Sequence, residues 1–128
     1  MYIPHLEVSQ VRNLKSLKTD CHPLANIIYG VNGSGKTSLL EAIYLLGRGR
    51  SFRHRDLRLV VNHQAEELVV SAKIEKGMPA KVHQMGVRRT SSGKFAARFD
   101  GKTLQSSVQL ASELPLHLID AHSFNLLE

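Results

Sequence analysis

Over residues 5–11 apolar positions alternate with polar ones, Leu6, Val8 and Val11 falling two or three apart. That spacing predicts a half-buried strand with a bulge near Gln10. Asp20-Cys21-His22-Pro23 reads as a turn. Residues 24–29, Leu-Ala-Asn-Ile-Ile-Tyr, are nearly continuous in apolar character and predict one buried strand that ends at Gly30. The period then changes. Leu39, Leu40, Ala42, Ile43, Leu45 and Leu46 recur three and four apart with Glu41 on the other side, which predicts an amphipathic helix over 36–46 ended by Gly47 and Gly49. A loop carrying Arg48, Arg50, Arg53, Arg55 and Arg58 follows. Strand patterns recur at 67–74, 82–89 and 94–100, and Asp100-Gly101 before Lys102-Thr103-Leu104 is a hairpin signal, so this half reads as an antiparallel meander. Residues 106–114 fit a short helix stopped by Pro115, and 116–119 a further strand. Residues 123–128 fit the opening turn of another helix capped by Ser123. Nothing closes that helix, and the pattern predicts a natural protein that continues beyond Glu128.

The length, 128 residues, suits one compact unit and excludes a multidomain enzyme. A hydrophobic share of 42% can supply a core, whereas 5% aromatic residues and no Trp argue against a base-stacking surface. Cys21 is the only cysteine, which excludes an internal disulfide and a Cys-rich zinc cluster and points to a reducing compartment. The seven histidines show no H-x-x-x-H or H-x-H spacing, so a metal site is not predicted from them. No basic leader precedes an apolar run, and no stretch of about 18 apolar residues occurs. A soluble cytoplasmic protein with no membrane partner is expected. The net charge is +6, and between positions 48 and 102 Lys and Arg outnumber Asp and Glu 13 to 5. Such a surplus suits a phosphate-rich partner, and Arg48, Arg50 and Arg53 are the first candidates for contacts to the backbone of DNA.

The strongest chemical signal is Gly30-Val31-Asn32-Gly33-Ser34-Gly35-Lys36-Thr37, which fits the phosphate-binding pattern G-x-x-x-x-G-K-[ST] between an expected strand and an expected helix. Glycines let successive backbone N–H groups turn inward toward a bound anion, and a helix N-terminus favours that anion by about 0.3–1 kcal/mol. Lys36 is expected to reach the β and γ phosphates of ATP, and the Thr37 hydroxyl to ligate the Mg²⁺ that bridges them.

Together with Ser38-Leu39-Leu40-Glu41-Ala42-Ile43-Tyr44-Leu45-Leu46-Gly47-Arg48-Gly49-Arg50-Ser51-Phe52-Arg53 and the early Val11-Arg12-Asn13-Leu14, this motif resembles the N-terminal region of the RecF family of bacterial recombination mediator ATPases. The resemblance runs over essentially the whole chain and is most specific from Gly30 to Arg53. It implies an α/β fold of the P-loop NTPase class: the N-terminal lobe of an ABC-type ATPase head related to SMC proteins, with a mixed sheet, a central strand leading into the loop, and an antiparallel meander. It also implies that Arg12 and Asn13 lie near the nucleotide, that full-length relatives form ATP-dependent homodimers, and that they bind duplex or gapped DNA. RecO, RecR and RecA are the partners implied, in recombinational DNA repair, replication restart and the SOS response. The family's signature motif and Walker B acidic pair do not occur in these 128 residues, so residues 1–128 read as the ATP-binding lobe of a longer head. A weak ATPase is expected of the full-length protein, and the lobe alone is not expected to hydrolyse ATP. Two departures, His117 where the family often has Gln and Ala121-His122 where it has Pro-Glu, fall in the segment that would couple the two lobes. Two other classes fit the motif less well: a small-molecule kinase, for which no acceptor base is evident, and a non-enzymatic basic DNA-binding module with a vestigial loop.

Overall fold

The computed structural model describes residues 1–30, 35–50 and 60–119. Six strands make one sheet: β1 Tyr2–Val11, β2 Leu14–Asp20, β3 Glu67–Lys76, β4 Lys81–Thr90, β5 Phe95–Phe99 and β6 Lys102–Thr103. Their order is β2-β1-β3-β4-β5-β6, and every neighbouring pair is antiparallel. Helix α1, Lys36–Arg48, packs on β1, β3 and β4, and α2, Ser107–Glu113, packs on α1.

Strand periodicity explains which face α1 covers. Leu6 and Val8 on β1, Leu68, Val70, Ala72 and Ile74 on β3, and Met85 and Val87 on β4 are all buried. The register sets them side by side, Val8 against Val70 against Val87, and Leu6 against Ala72 against Met85. Ala42, Leu45 and Leu46 of α1 close this layer, each side chain of Leu or Ile size contributing roughly 1.5–3 kcal/mol. The opposite face is polar, with His5, Glu7, Ser71 and Lys73 grouped along its surface. Lys76 ties α2 to the sheet: its Nζ donates to the Glu113 carbonyl at 2.6 Å and sits 4.9 Å from the centre of the Phe99 ring.

The meander, both helices and the Asp100-Gly101 turn follow the sequence pattern, and several details depart from it. The bulge expected near Gln10 is absent from the β1–β2 ladder, whose register runs unbroken from Ser9–Ser16 to Val11–Leu14 while Gln10 itself takes a φ of 60°. The register irregularity lies instead between Tyr2 and His5, at Pro4, which has no N–H for the ladder. Strand β2 was not anticipated, because only Leu14 and Leu17 mark its inner face.

Residues 24–29, expected to be a buried strand at the centre of a mixed sheet, are irregular, with Leu24 89%, Ile27 88% and Tyr29 88% exposed. A strand exists only with a ladder partner, and residues 24–29 pair with none of the six strands described here. Residues 116–119 likewise form no strand. Leu116 packs instead against the core, over Gly47.

Gly47 does not end α1. It lies within the helix, where a Cβ would stand 2.4 Å from Leu116 Cδ1 and 2.9 Å from the Leu114 carbonyl oxygen. The stop is Gly49, at φ 70°, whose N–H caps the Leu45 carbonyl at 2.8 Å. The expected turn of helix at 123–128 lies outside the described residues.

Two outcomes follow from this packing. Gly47→Ala drives a methyl into both a side chain and a backbone oxygen and is expected to destabilise the fold by about 1–3 kcal/mol, read as a lower midpoint in urea. Adding Leu116→Ala should recover only part of the loss, since the Leu114 carbonyl remains. The second outcome concerns pH. Hydrogen bonds to Asp20 (2.7 Å from His5 Nδ1) and then to Glu7 (3.3 Å from Nε2) raise the His5 pKa above its ordinary 6.5. The imidazolium therefore stabilises the fold fully below pH 6.5 and loses its effect as pH rises through the raised value. The difference in melting temperature between wild type and His5→Gln should be largest in mildly acidic buffer and shrink as pH rises past neutrality. Asp100 has the opposite sign. Its pKa is held below 3.8, chiefly by the hydrogen bond with His83, so its contribution is present above 3.8 and disappears as pH falls through the lowered value.

Candidate nucleotide-binding site

Strand β1 ends at the buried Val11, and the chain reverses through Arg12 and Asn13. Arg12 adopts a φ of 51°, in the left-handed region that costs a non-glycine residue about 1–2 kcal/mol. The surroundings hold it there. Arg12 N–H donates to the Val60 carbonyl at 2.7 Å, and Asn62 Nδ2 donates to the Arg12 carbonyl at 2.6 Å. Asn62 is itself buried, and its backbone N–H reaches the Gln10 carbonyl at 2.9 Å.

Helix α1 begins beside this turn. Its N-cap is Gly35 at φ 99°, a conformation that favours glycine, and no side chain caps the first N–H groups. No acid stands in the first turn either, so the positive end of the helix dipole has no compensating charge from that turn. Lys36 Nζ donates to the Gly30 carbonyl at 2.5 Å, and Thr37 is exposed at the helix start.

Three contacts join the turn to the helix. Ser38 Oγ donates to Asn13 Oδ1 at 2.7 Å, and Arg12 Nε donates to Glu41 Oε1 at 2.6 Å. Leu14 Cδ1 lies 3.6 Å from the position a Cβ on Gly35 would take. Arg12 and Asn13 also line a shallow depression of about 270 Å³ with Val61, Asn62 and His63.

Of the residues that the sequence singled out, Arg12, Asn13, Gly35, Lys36 and Thr37 thus gather at one end of α1, with Gly30 in reach of Lys36. Val31, Asn32, Gly33, Ser34 and Arg53 lie outside the described residues. Arg50 is exposed just past α1. Arg48 turns inward: its Nη2 donates to the Leu116 carbonyl at 2.6 Å and its guanidinium lies 5.8 Å from the Tyr44 ring centre. Cys21 is half-buried, and burial raises its thiol pKa.

Sequence reasoning missed Ser38, Asn62 and above all Glu41. Glu41 was expected on the polar side of α1 but is 0% exposed. The signal was its place four residues before Leu45 and three after Ser38, which puts all three on the inward stripe. Among the described residues, no cluster of three or more His, Cys, Asp and Glu is placed to hold a metal, and no helix is long and apolar enough to cross a membrane.

Known proteins resemble this chain in sequence and in fold. The family model of the RecF/RecN/SMC N-terminal domain matches residues 2–124. The DNA replication and repair protein RecF of Pseudomonas entomophila (strain L48) is 43% identical over 128 residues, and that of Azotobacter vinelandii (strain DJ / ATCC BAA-1303) is 44% identical over 128 residues. The whole chain is matched in both, yet it spans only 35% of either relative. Among solved structures, the recombination mediator protein RecF with ATP in the RecFOR pathway superposes with a TM-score of 0.87 at 26% identity, covering 99% of this chain and 34% of that one. An SMC ATPase studied for ATP-driven dimerisation shares the fold at a TM-score of 0.82 and 17% identity, covering 99% of this chain and 90% of that one. The α/β fold is that of the N-terminal lobe of ABC-type ATPase heads, and the chain belongs to the RecF/RecN/SMC N-terminal domain family.

Proposed function

We propose that residues 1–128 are the ATP-binding lobe of a RecF-like DNA repair protein. The observation that carries this reading is the start of α1: a glycine N-cap, no acid in the first turn, Lys36 bonded back to the Gly30 carbonyl, and the Arg12–Asn13 turn docked alongside. Such a terminus is built for a polyanion. Gly30 to Thr37 hold the phosphates of ATP, Lys36 supplies the cation, and Thr37 ligates the Mg²⁺ that comes with the nucleotide. Metal there would neutralise phosphate charge. Arg12 and Asn13 face the same ligand. Hydrolysis needs the signature and Walker B segments, which belong to the remainder of a longer protein that dimerises with ATP. The relatives' names support a role in DNA replication and repair. On this reading the protein works in the cytoplasm on duplex or gapped DNA with RecO, RecR and RecA.

The decisive test is calorimetric titration with Mg-ATP. Lys36→Ala removes a charge-assisted hydrogen bond of about 1.5–3 kcal/mol and should weaken affinity roughly ten- to a hundredfold, with the melting temperature of the free protein unchanged. Equal affinity in the two proteins would overturn the site. For DNA, the exposed Arg50 and its neighbour Arg53 are the contacts, while Arg48 serves α1. In the full-length protein, Arg50→Ala and Arg53→Ala should each lower the slope of log affinity against log salt by about one. Arg48→Ala should leave that slope alone and lower the melting temperature instead. The reverse pattern would move the contact to Arg48.

A further inference from the structure

Glu41 is the most deeply buried charge described in this chain, in the second turn of α1. A carboxylate withdrawn from water needs a cation, and Arg12 provides it at 2.6 Å through Nε. Arginine leaves further N–H groups after one is used, in a fixed plane. In Arg12, Nη2 is buried and has no hydrogen-bond partner. Buried donors are rarely left so, and a pair whose purpose was to fasten α1 to the sheet would spend the whole fork on the fastening. The left-handed backbone of Arg12 is a second cost at the same residue. Asn13, its neighbour, is bonded to Ser38 in the first turn of α1. The spare donor therefore belongs to a turn held against the helix start.

We propose that Glu41 is a positioning residue for the nucleotide: it orients the Arg12 guanidinium so that its remaining N–H is kept for a phosphate oxygen at the start of α1. Glu41 itself does not touch the ligand. The proposal rests on the nucleotide reading above and extends it to a residue buried in the core of the lobe.

The test separates fastening from positioning. Replacing the pair with apolar residues of similar size, Arg12→Met with Glu41→Leu, removes both buried charges together and is expected to leave the melting temperature at or above that of wild type. Mg-ATP affinity by calorimetry should nonetheless fall about tenfold or more, or roughly 1.4 kcal/mol. Glu41→Gln alone should weaken Mg-ATP binding, and in the Arg12→Met background the same change should have no further effect, because Glu41 acts only through Arg12. Should Glu41→Gln fail to fold, the double replacement still decides, since it removes the buried carboxylate and the Arg12 guanidinium together. Wild-type affinity in the double variant, or additive losses in the cycle, would overturn the proposal. A wild-type chain that binds no Mg-ATP would overturn the nucleotide reading as well. Binding lost with Lys36→Ala but kept in the apolar double variant would overturn the positioning role alone.

Discussion

A carboxylate without solvent in the second turn of α1 constrains how helix and sheet meet. Glu41 has the Arg12 guanidinium beside it, and Arg12 reaches it from a left-handed turn that L-residues avoid. The turn is in turn clamped by Val60 and Asn62. One ionic contact thereby places four parts of the chain: the end of β1, the start of β2, the helix, and the segment that leads into β3. Changing either residue alters that contact, so the pair behaves as a single unit of structure.

Around that unit the chemistry divides by face. The inner face of the sheet is aliphatic and is closed by Ala42, Leu45 and Leu46. The outer face carries opposite charges in contact, with Arg88 Nε 2.9 Å and Nη2 3.1 Å from the Glu67 carboxylate, and His5 between Asp20 and Glu7. Both members of these pairs are open to water, so they tune pH dependence more than they add stability. The positive surplus read from composition is accordingly not one continuous field. Arg88 is matched by an acid, and Arg48 is spent on the end of α1.

Periodicity made the meander and α1 legible, because strands with one buried face and helices with one buried stripe write their burial directly into the sequence. The phosphate-loop motif was equally plain, since its glycines and its Lys-Thr pair have no purpose in an ordinary turn. What periodicity could not carry was partnership. Residues 24–29 have the composition of a central strand, but a ladder needs a neighbour, and they pair with none of the six strands. Gly47 looked like a stop signal and is instead the gap into which Leu116 fits, a contact between positions 69 residues apart. Glu41 was read by its charge rather than by its place on the stripe, and its partner, 29 residues upstream, leaves no local trace.

The strand order has one further implication. Four of the five connections between the strands are short turns, and the single long excursion, from the end of β2 to the start of β3, contains the whole phosphate-loop motif and α1. Both ends of that excursion are pinned at the seam where β1 is flanked by β2 and β3. A ligand that stiffens the excursion therefore draws on the same closure that holds the seam together, and the amide hydrogens along β1, though distant in purpose from any phosphate, would exchange with solvent at a rate that reports whether the loop is filled.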